Sequence, residues 1–320
     1  MKKIIIGLLL IGIMFLYGCG EGGESVGPST TPFVGGTTAL VIGFVPGAPP
    51  DRVLDNDKQE FSISLSIENM GEEDVKKGDG YIEIAGIDPR EFSLTNADIR
   101  QDIPDDILGV KTYPGGMVVR SGRILAEFPG FNYAGNLPGN WEPRIRANVC
   151  YNYATNATVA ACIKTDMLSK FDRKEICELT GSKNVFNSGG PLHVTKVTQT
   201  PLSSDRIQLQ FTISHVGERN DRFFKRDTNC EDSQTNQDKD KVFFEVLTDI
   251  DGNLAECTGF VERLSGSSGY VKLYNGVEQI VTCNFDVGDI ATDFEKLINL
   301  RLEYRYYQFI ERKILIENIN

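Results

Sequence analysis

Cysteine is the residue type in this chain that supports the widest range of chemistry. The sequence has seven cysteines, and one of them, Cys19, directly follows an N-terminal apolar run. The basic pair Lys2 and Lys3 precedes that run, which is the pattern of a secretory signal. Such a signal sends a chain to an oxidising compartment, where cysteines form disulfides. We therefore expect disulfides among the other six, which are Cys150, Cys162, Cys177, Cys230, Cys257 and Cys283.

Cys19 has a different expected role. The apolar run at residues 4–17 is too short to cross a membrane, since a spanning helix needs about twenty apolar residues. The motif LYGC at 16–19 resembles the lipobox of secreted lipoproteins. This resemblance implies that residues 1–18 are a signal peptide that is removed, and that Cys19 receives a diacylglycerol, which holds the protein to membrane lipid outside the cytoplasm. The alternative is an ordinary signal peptide with an incidental cysteine.

The pairing of the other cysteines follows from an expected hairpin. Residues 148–164 predict two strands that turn at Asn156, which puts Cys150 opposite Cys162 at a separation that a disulfide tolerates. A bridge from either one to Cys177 is the alternative. Three of the six cysteines precede residue 190 and three follow it, so full pairing needs at least one bridge between the halves. We expect Cys177 to form it. A zinc site competes with this interpretation, but no C-x2-C spacing occurs.

Catalytic chemistry has little support in the sequence. The chain has two histidines, His193 and His215, and no motif typical of hydrolases, zinc proteases or nucleotide-binding enzymes. His215 stands at the end of a predicted strand, where a structural role is expected. We therefore expect a protein that is not an enzyme and that needs no cofactor.

One acidic loop has weak calcium-site spacing. Asn236, Asp238 and Asp240 occupy alternate positions, as the oxygen ligands of a calcium loop do. Lys241 stands where such loops need glycine, and no glutamate follows at the closing position. A polar loop between strands is therefore the favoured interpretation, with calcium as the alternative.

Two further groups of residues are candidate surface features. Asn156-Ala157-Thr158 is an N-glycosylation sequon at the expected hairpin tip. Phe131, Tyr133 and Trp141 lie in a Gly/Pro-rich stretch and could bind a partner or stack on sugar rings. Equally, these aromatic side chains could cover one end of the folded body.

An internal repeat organises the chain. FSISLSIENMG at 61–71 and IQLQFTISHVG at 207–217 align without a gap at an offset of 146 residues. Both alternate apolar and polar residues, which predicts a strand with one buried face, and both end in glycine, which predicts a turn. A shorter apolar segment precedes each copy and another follows it. The pattern indicates a duplicated β-module.

The repeat resembles the core of Ig-like surface modules of the adhesion-related type, in which alternating apolar positions lead to Asn-x-Gly. Residues 69–71 fit this pattern, whereas His215 replaces the asparagine in the second copy. The whole chain is similar to a group of uncharacterised predicted secreted archaeal proteins, through the lipobox, the segment FVPGAPPD at 44–51 and the Cys-Tyr-x-Tyr-x-Thr pattern at 150–155. This resemblance implies a fold and a location.

The expected fold class is all-β, with two tandem Ig-like antiparallel β-sandwiches. We expect a lipidated Cys and flexible Gly/Ser/Thr/Pro tether at 19–38, the first sandwich at 39–165, a connecting segment at 166–190 and the second sandwich at 191–320. The connecting segment should hold a short helix within 169–181. The alternating segment 298–307 should be a long strand, with 313–319 returning beside it as a closing hairpin.

The net charge argues against one class of partner, and the lipobox, the tether and the repeated module favour a function at the membrane, outside the cytoplasm. The net charge of −12 argues against nucleic acid as a partner, because that affinity depends on basic residues. We expect a membrane-anchored surface lipoprotein with a structural, adhesion or protein-docking role. Its expected partners are membrane lipid and other envelope or extracellular proteins or glycans. The alternative is a surface lipoprotein that binds carbohydrate or another solute.

Overall fold

A computed structural model describes residues 31–113, 116–120, 122–168, 176–231, 233, 235–250, 252–288 and 290–319. The predicted signal peptide 1–18, Cys19 and tether residues up to 30 lie outside these ranges, as do residues 169–175 of the expected helix.

The described chain is built almost entirely of strands, as the alternating segments predict. In the first half the strands are β1 (Leu40–Phe44), β2 (Arg52–Leu54), β3 (Glu60–Asn69), β4 (Gly80–Ala85), β5 (Arg100–Asp102), β6 (Lys111–Tyr113), β7 (Met117–Val119), β8 (Ile124–Asn132) and β9 (Arg144–Ile163). The second half contains β10 (Gly181–Lys183), β11 (Val185–Asn187), β12 (Leu192–Ser203), β13 (Arg206–His215), β14 (Arg222–Phe224), β15 (Lys241–Val246), β16 (Glu256–Thr258), β17 (Glu262–Arg263), β18 (Ser268–Lys272), β19 (Gln279–Asp286), β20 (Phe294–Lys313) and β21 (Leu315–Glu317). The helical elements within the described ranges are short 3₁₀ helices at Pro89–Phe92 and Tyr274–Gly276.

Three large sheets share one core. Their strand orders are β1-β3-β8, β10-β12-β13-β19-β16 and β17-β18-β15-β20-β9-β4-β5. In the third sheet β11 also pairs with β9, and β14 with β20, which makes nine strands. Along β3 the odd-numbered residues from Phe61 to Asn69 are buried and the residues between them are partly exposed, so one face of this sheet is covered. A continuous apolar cluster takes buried side chains from all three sheets. The all-β sandwich class is therefore confirmed.

The two copies of the repeat are equivalent strands. β3 and β13 begin and end at the same offset of 146 residues as the sequence repeat. The apolar segment before each copy pairs with it in an antiparallel ladder. Leu40 lies opposite Asn69 in the first half, and Leu192 lies opposite His215 in the second. The sequence repeat thus corresponds to a repeated strand arrangement.

The two halves share one sheet, which the expectation of two tandem sandwiches does not include. β9 of the first half and β20 of the second pair antiparallel along their whole length, from Arg144 opposite Lys313 to Ile163 opposite Phe294. Both halves therefore contribute to one nine-stranded sheet, and Thr31–Asn320 forms one compact unit. The physical reason is that each of these 20-residue strands would otherwise present a long edge of unpaired backbone groups.

Four tyrosines mark the centre of this shared pair of strands. Tyr151 lies opposite Tyr306, and Tyr153 lies opposite Tyr304. All four side chains are buried, and neighbouring rings meet edge-on or tilted with centroids 6.0 to 6.1 Å apart. The same Tyr-x-Tyr pattern thus occurs once in each half, and the two copies face each other across the ladder. We call the β9–β20 ladder the seam.

Equivalent tyrosines make equivalent contacts. The backbone N–H of Leu40 donates to the Tyr151 hydroxyl oxygen, and Leu192, its counterpart, makes a backbone hydrogen bond to Tyr304. Tyr151 also donates to the Gln308 side chain, and Tyr304 bonds the Thr155 hydroxyl. Each half therefore anchors its tyrosine through the strand that precedes its repeat.

The repeated glycine is explained by the other two tyrosines. A Cβ at Gly71 would overlap the Tyr153 hydroxyl oxygen and would lie 2.6 Å from the Gly189 carbonyl oxygen. A Cβ at Gly217 would lie 2.5 Å from the Tyr306 hydroxyl oxygen. Both distances are shorter than van der Waals contact allows. Glycine at the end of each repeat therefore makes room for a seam tyrosine.

Two local expectations are wrong, the hairpin at Asn156 and the closing hairpin; the expected helix lies mostly at 169–175, outside the described residues. Residues 148–164 do not form a hairpin at Asn156, because β9 runs straight through; the segment has no Gly or Pro to turn the chain, and β20 offers a partner of equal length. The described part of the expected helix, 176–180, contains no helix. The closing hairpin is replaced by a return to the first half, where β21 pairs in parallel with β2.

Candidate functional site

The six body cysteines form three disulfides, as expected. The pairs are Cys150 with Cys230, Cys162 with Cys177, and Cys257 with Cys283. Cys150 and Cys162 cannot face each other because both lie on one strand, twelve positions apart. The predicted bridge between the halves exists, but Cys150 forms it with Cys230, and Cys177 bonds within its own half, which was the alternative for Cys162.

The disulfide between the halves lies on the face of the nine-stranded sheet opposite to the seam tyrosines, because Cys150 precedes Tyr151 on β9. Cys150 and Cys230 form a small buried cluster with Phe224. The Arg305 guanidinium donates from Nε to the Cys150 sulfur at 3.0 Å. Burial lowers the pKa of Arg305, and Tyr81 and acidic neighbours act against that shift. The disulfide thus attaches Cys230 and the neighbouring Phe224 to the seam.

A polar cleft of about 190 Å³ opens beside this bridge, at the middle of the seam. Its centre is Arg301 on β20, which donates to Glu73 at 2.7 Å, to Asn156 at 3.0 Å and to Glu303 at 2.7 Å. Arg226 from the 222–240 segment forms an ion pair with the same Glu303. We call this group the seam cleft. It joins Glu73 of the first half to three residues of the second.

The two arginines of the seam cleft pair with Glu73 and Glu303, and three further acidic residues line the cleft, Asp74, Asp79 and Asp227. Burial tends to raise the pKa of Glu303, but hydrogen bonds and charge from Arg301 and Arg226 outweigh burial and lower it. For Arg301, burial tends to lower the pKa, and Glu73 and Glu303 raise it instead. An ionised, paired carboxylate of this kind is a poor general acid near neutral pH. The ion pairs of Arg301 with Glu73 and Glu303 can hold the two halves together.

A second cavity, of about 300 Å³, lies beside the end of β13. His215 Nε2 is 3.0 Å from the Tyr306 hydroxyl oxygen, and that hydroxyl donates to Asp221 Oδ2 at 3.0 Å. Gln308 donates to the same carboxylate oxygen at 3.3 Å. Because an ionised carboxylate only accepts, the tyrosine proton goes to Asp221 and His215 Nε2 donates to Tyr306. We call these residues the His215 network.

Burial sets the protonation of this network. It lowers the pKa of His215, with help from the Arg222 charge, and raises the pKa of Asp221 against the hydrogen bonds of Tyr306 and Gln308. Burial and Asp221 raise the pKa of Tyr306. His215 is therefore neutral, and its Nε2 proton is engaged. The network fixes β20 to β13, and His215 occupies the place that Asn69 has in the first repeat, where the asparagine amide holds Gly71, Glu73 and Ile107.

Two of the three aromatic residues predicted as a binding surface are buried. Phe131 is fully buried and Tyr133 is 6% exposed; with Phe61 and Phe92 they form a packed aromatic group. Trp141 is half-buried, with its ring 5.6 Å from that of Tyr133. The structure thus places these side chains over one end of the first half, which was the second interpretation, and Trp141 is the member with an accessible face.

The sequon residues lie in the middle of a strand. Asn156 is half-buried on β9, and its side-chain oxygen accepts from Arg301. Thr158 is 9% exposed and donates to Asn299. The predicted exposed tip is therefore wrong, and the folded chain offers no turn at Asn156 for a glycan.

The calcium-like loop uses its polar side chains internally. The Asn236 side chain donates to the Glu231 carbonyl and accepts from the Asp238 N–H, and Asp238 faces the Lys241 ammonium at 3.7 Å. Asp240 lies at positive φ and lines the His215 cavity. Across the ranges the structure describes, no group of three or more His, Cys, Asp or Glu side chains could share a metal ion.

Sequence reasoning missed the seam residues. Glu73, Arg301 and Glu303 belong to segments far apart in the chain, and nothing in their spacing indicates contact. A signal did exist: the Tyr-x-Tyr pattern at 151–153 returns at 304–306. Its presence in both halves, each within a long alternating segment, indicates equivalent strands.

The chain matches no protein-family profile and no curated protein sequence.

No helix in the described part of the chain is long and apolar enough to cross a membrane. The three disulfides indicate an oxidising environment outside the cytoplasm, since thiols are kept reduced in the cytosol.

Proposed function

We propose that the protein is a cell-surface lipoprotein, anchored through a lipid on Cys19, with a non-catalytic role in envelope structure, adhesion or protein docking. One observation carries the proposal. The three disulfides use six of the seven cysteines, so Cys19 has no intrachain partner left. The remaining cysteine is the one that ends the lipobox-like motif, where a thiol would accept a diacylglycerol.

The non-catalytic role is supported by the two polar sites. In the seam cleft Glu73 and Glu303 pair with Arg301 and Arg226, and in the His215 network the histidine proton is engaged by Tyr306. Both groups connect the halves or their strands. Carbohydrate binding, the alternative, loses support because Phe131 and Tyr133 are buried and a sugar ring needs an exposed aromatic face to stack on.

The anchor is tested by mass spectrometry of the mature chain from membrane fractions. We expect the N-terminal peptide to begin at Cys19 and to carry the mass of a diacylglycerol. The variant Cys19→Ser should lose the modification and leave the membrane fraction in mature form, whereas Ser25→Ala, a matched change in the tether, should do neither. A mature soluble chain with an unmodified Cys19 would overturn the anchor.

The docking role is tested by cross-linking on intact cells followed by capture of the protein. We expect an envelope protein or glycan to be recovered by the wild-type chain. The carbohydrate alternative predicts saturable binding on a glycan array that is lost in Trp141→Ala. That result would contradict the purely structural role.

A further inference from the structure

The final tether residues, 33–38, dock on the folded body, and we call them the strap. The Glu72 carboxylate holds the first part of the strap: one oxygen accepts from the N–H of Val34 and the other from the N–H of Gly35, each at 3.0 Å. The second of these oxygens also accepts from the N–H of Gly189 at 2.8 Å. One carboxylate from the β3–β4 loop therefore joins the strap to the segment that connects the two halves.

The strap and the connecting segment lie against each other. The N–H of Gly190 donates to the Gly36 carbonyl oxygen at 3.0 Å. A Cβ at Gly189 would lie 2.9 Å from the Gly35 carbonyl oxygen, closer than van der Waals contact allows. Within the strap Phe33 is half-buried, and the other side chains are exposed. Backbone contacts hold the strap with little apolar burial, which is typical of segments that open at low cost in free energy.

A histidine lies beside this contact. His193 is the second residue of β12, and backbone groups of Gly36, Ser188 and Gly190 lie near its ring. Its Nε2 atom is buried and has no hydrogen-bond partner among the described residues. Buried polar atoms are rarely left without a partner, so an unpaired nitrogen at the strap calls for an explanation.

Protonation of His193 is unfavourable while the strap is docked. Burial lowers the pKa of His193, and the backbone groups around the ring act against this shift without reversing it. A proton on the ring makes both nitrogens donors, and Nε2 has no acceptor in the docked arrangement. In water the ring binds a proton near its ordinary pKa of about 6.5, so acid favours any state in which the ring is exposed.

No charged side chain is among the causes of this shift. The strap and the connecting segment beside it contain no ionisable side chain. The carboxylates on neighbouring elements have other partners: Glu72 holds the strap, and Glu278 accepts from the hydroxyl of Ser214, which lies opposite His193 on β13. On β12 itself the next charged residue is Lys196, which is exposed. The pKa of His193 therefore follows its burial, and the strap supplies part of that cover.

We propose that the strap is a pH-sensitive latch: at neutral pH it is docked beside a neutral His193, and in acid the protonated ring displaces it, which lengthens the tether. The six residues of the strap add about 20 Å of reach when they are extended. The lengthening matters for a body held at a membrane, so this consequence rests on the proposed lipid anchor, whereas the opening itself does not.

Hydrogen–deuterium exchange of the mature chain tests the latch. Peptides that contain 33–38 and 188–190 are followed at about pH 7 and about pH 5, after correction for the intrinsic dependence of exchange on pH. We expect the protection of both peptides to fall in acid, by up to about tenfold per pH unit, the limit for one proton bound on opening. In His193→Gln, which does not titrate in this range, protection should not depend on pH. His193→Leu, whose apolar side chain needs no partner at the position of Nε2, should give the same result.

Two further variants are controls. His215→Asn removes the other histidine, which lies at the end of β13 in a network of its own, and should keep the pH response. Glu72→Gln weakens the carboxylate contacts and should reduce the protection of both peptides at either pH.

The outcomes separate the latch from the anchor. A pH response that persists in both His193 variants would place the titration elsewhere, and a strap that stays fully protected in acid in the wild-type chain would overturn the latch. Mass spectrometry of the same chain reports the acylation of Cys19 independently. The anchor can therefore fail while the latch stands, and the reverse.

Discussion

Removal of the disulfide between the halves should cost more stability than removal of the one within the first half. The Cys150–Cys230 bridge closes a loop of 80 residues, and the Cys162–Cys177 bridge closes one of 15. In the chain-entropy description, a cross-link stabilises by restricting the unfolded chain, by about 4.5 kcal/mol for the longer loop and about 3 kcal/mol for the shorter. The double variants Cys150→Ala/Cys230→Ala and Cys162→Ala/Cys177→Ala should therefore differ by about 1.5 kcal/mol.

The two bridges are a matched pair for this comparison. Cys150 and Cys162 are fully buried, and Cys230 and Cys177 are 6% and 7% exposed, so the loss of buried sulfur is similar in both variants. Guanidinium unfolding of the mature protein, followed by the fluorescence of Trp141, gives the free energy of unfolding of each. If the 162–177 variant were destabilised as much as the 150–230 variant, loop closure would not be the main contribution of the bridge between the halves.

Three further changes have expected outcomes. Gly71→Ala should lower the free energy of unfolding by about 1–3 kcal/mol, because its Cβ overlaps Tyr153, whereas Gly43→Ala, with open space around the new Cβ, should have little effect in the same melts. Tyr304→Phe leaves the buried Thr155 hydroxyl without its partner and should cost about 1–3 kcal/mol, whereas the exposed Tyr113→Phe should melt like wild type. His215 has a lowered pKa in the folded state, so the unfolded chain binds more protons below about pH 6.5 and stability is lost as pH falls through that value. His215→Asn, which restores the residue of the first repeat, should reduce the drop in melting temperature between about pH 7 and about pH 5; an unchanged drop would place the titration elsewhere.

The strands were predictable because their signal is local. β3, β13 and β20 alternate buried and partly exposed residues along most of their length, and a period of two in the sequence is sufficient to identify such segments. The repeat also gave the correct equivalence of β3 and β13. The same local signal misled at residues 148–164, which predict two short strands with a turn at Asn156 but lie almost entirely within the single 20-residue strand β9.

The pairing of distant segments was not predictable, because no local property encodes it. Cys150 meets Cys230 only because β9 and β14 flank β20, and Glu73 meets Arg301 only because β4 and β20 both pair with β9. Cysteine parity did require a bridge between the halves, since it is a counting argument that needs no geometry. Which cysteines formed it depended on the sheet order, which the sequence did not reveal.

The strands at the edges of two sheets are short, which limits how another chain could pair with them. The nine-stranded sheet ends in β5 and β17, of three and two residues, and the five-stranded sheet ends in β10 and β16, of three residues each. Strands this short offer little backbone for another chain to pair with.

The three-stranded sheet ends in the nine-residue β8. That edge contains Pro129, which has no N–H to donate, and Gly130 at positive φ, where the register with β3 shifts between Phe61 and Ile63. Strand addition is blocked there as well. Because β9 and β20 pair with each other along the whole seam, the edges that they share are closed to strand addition.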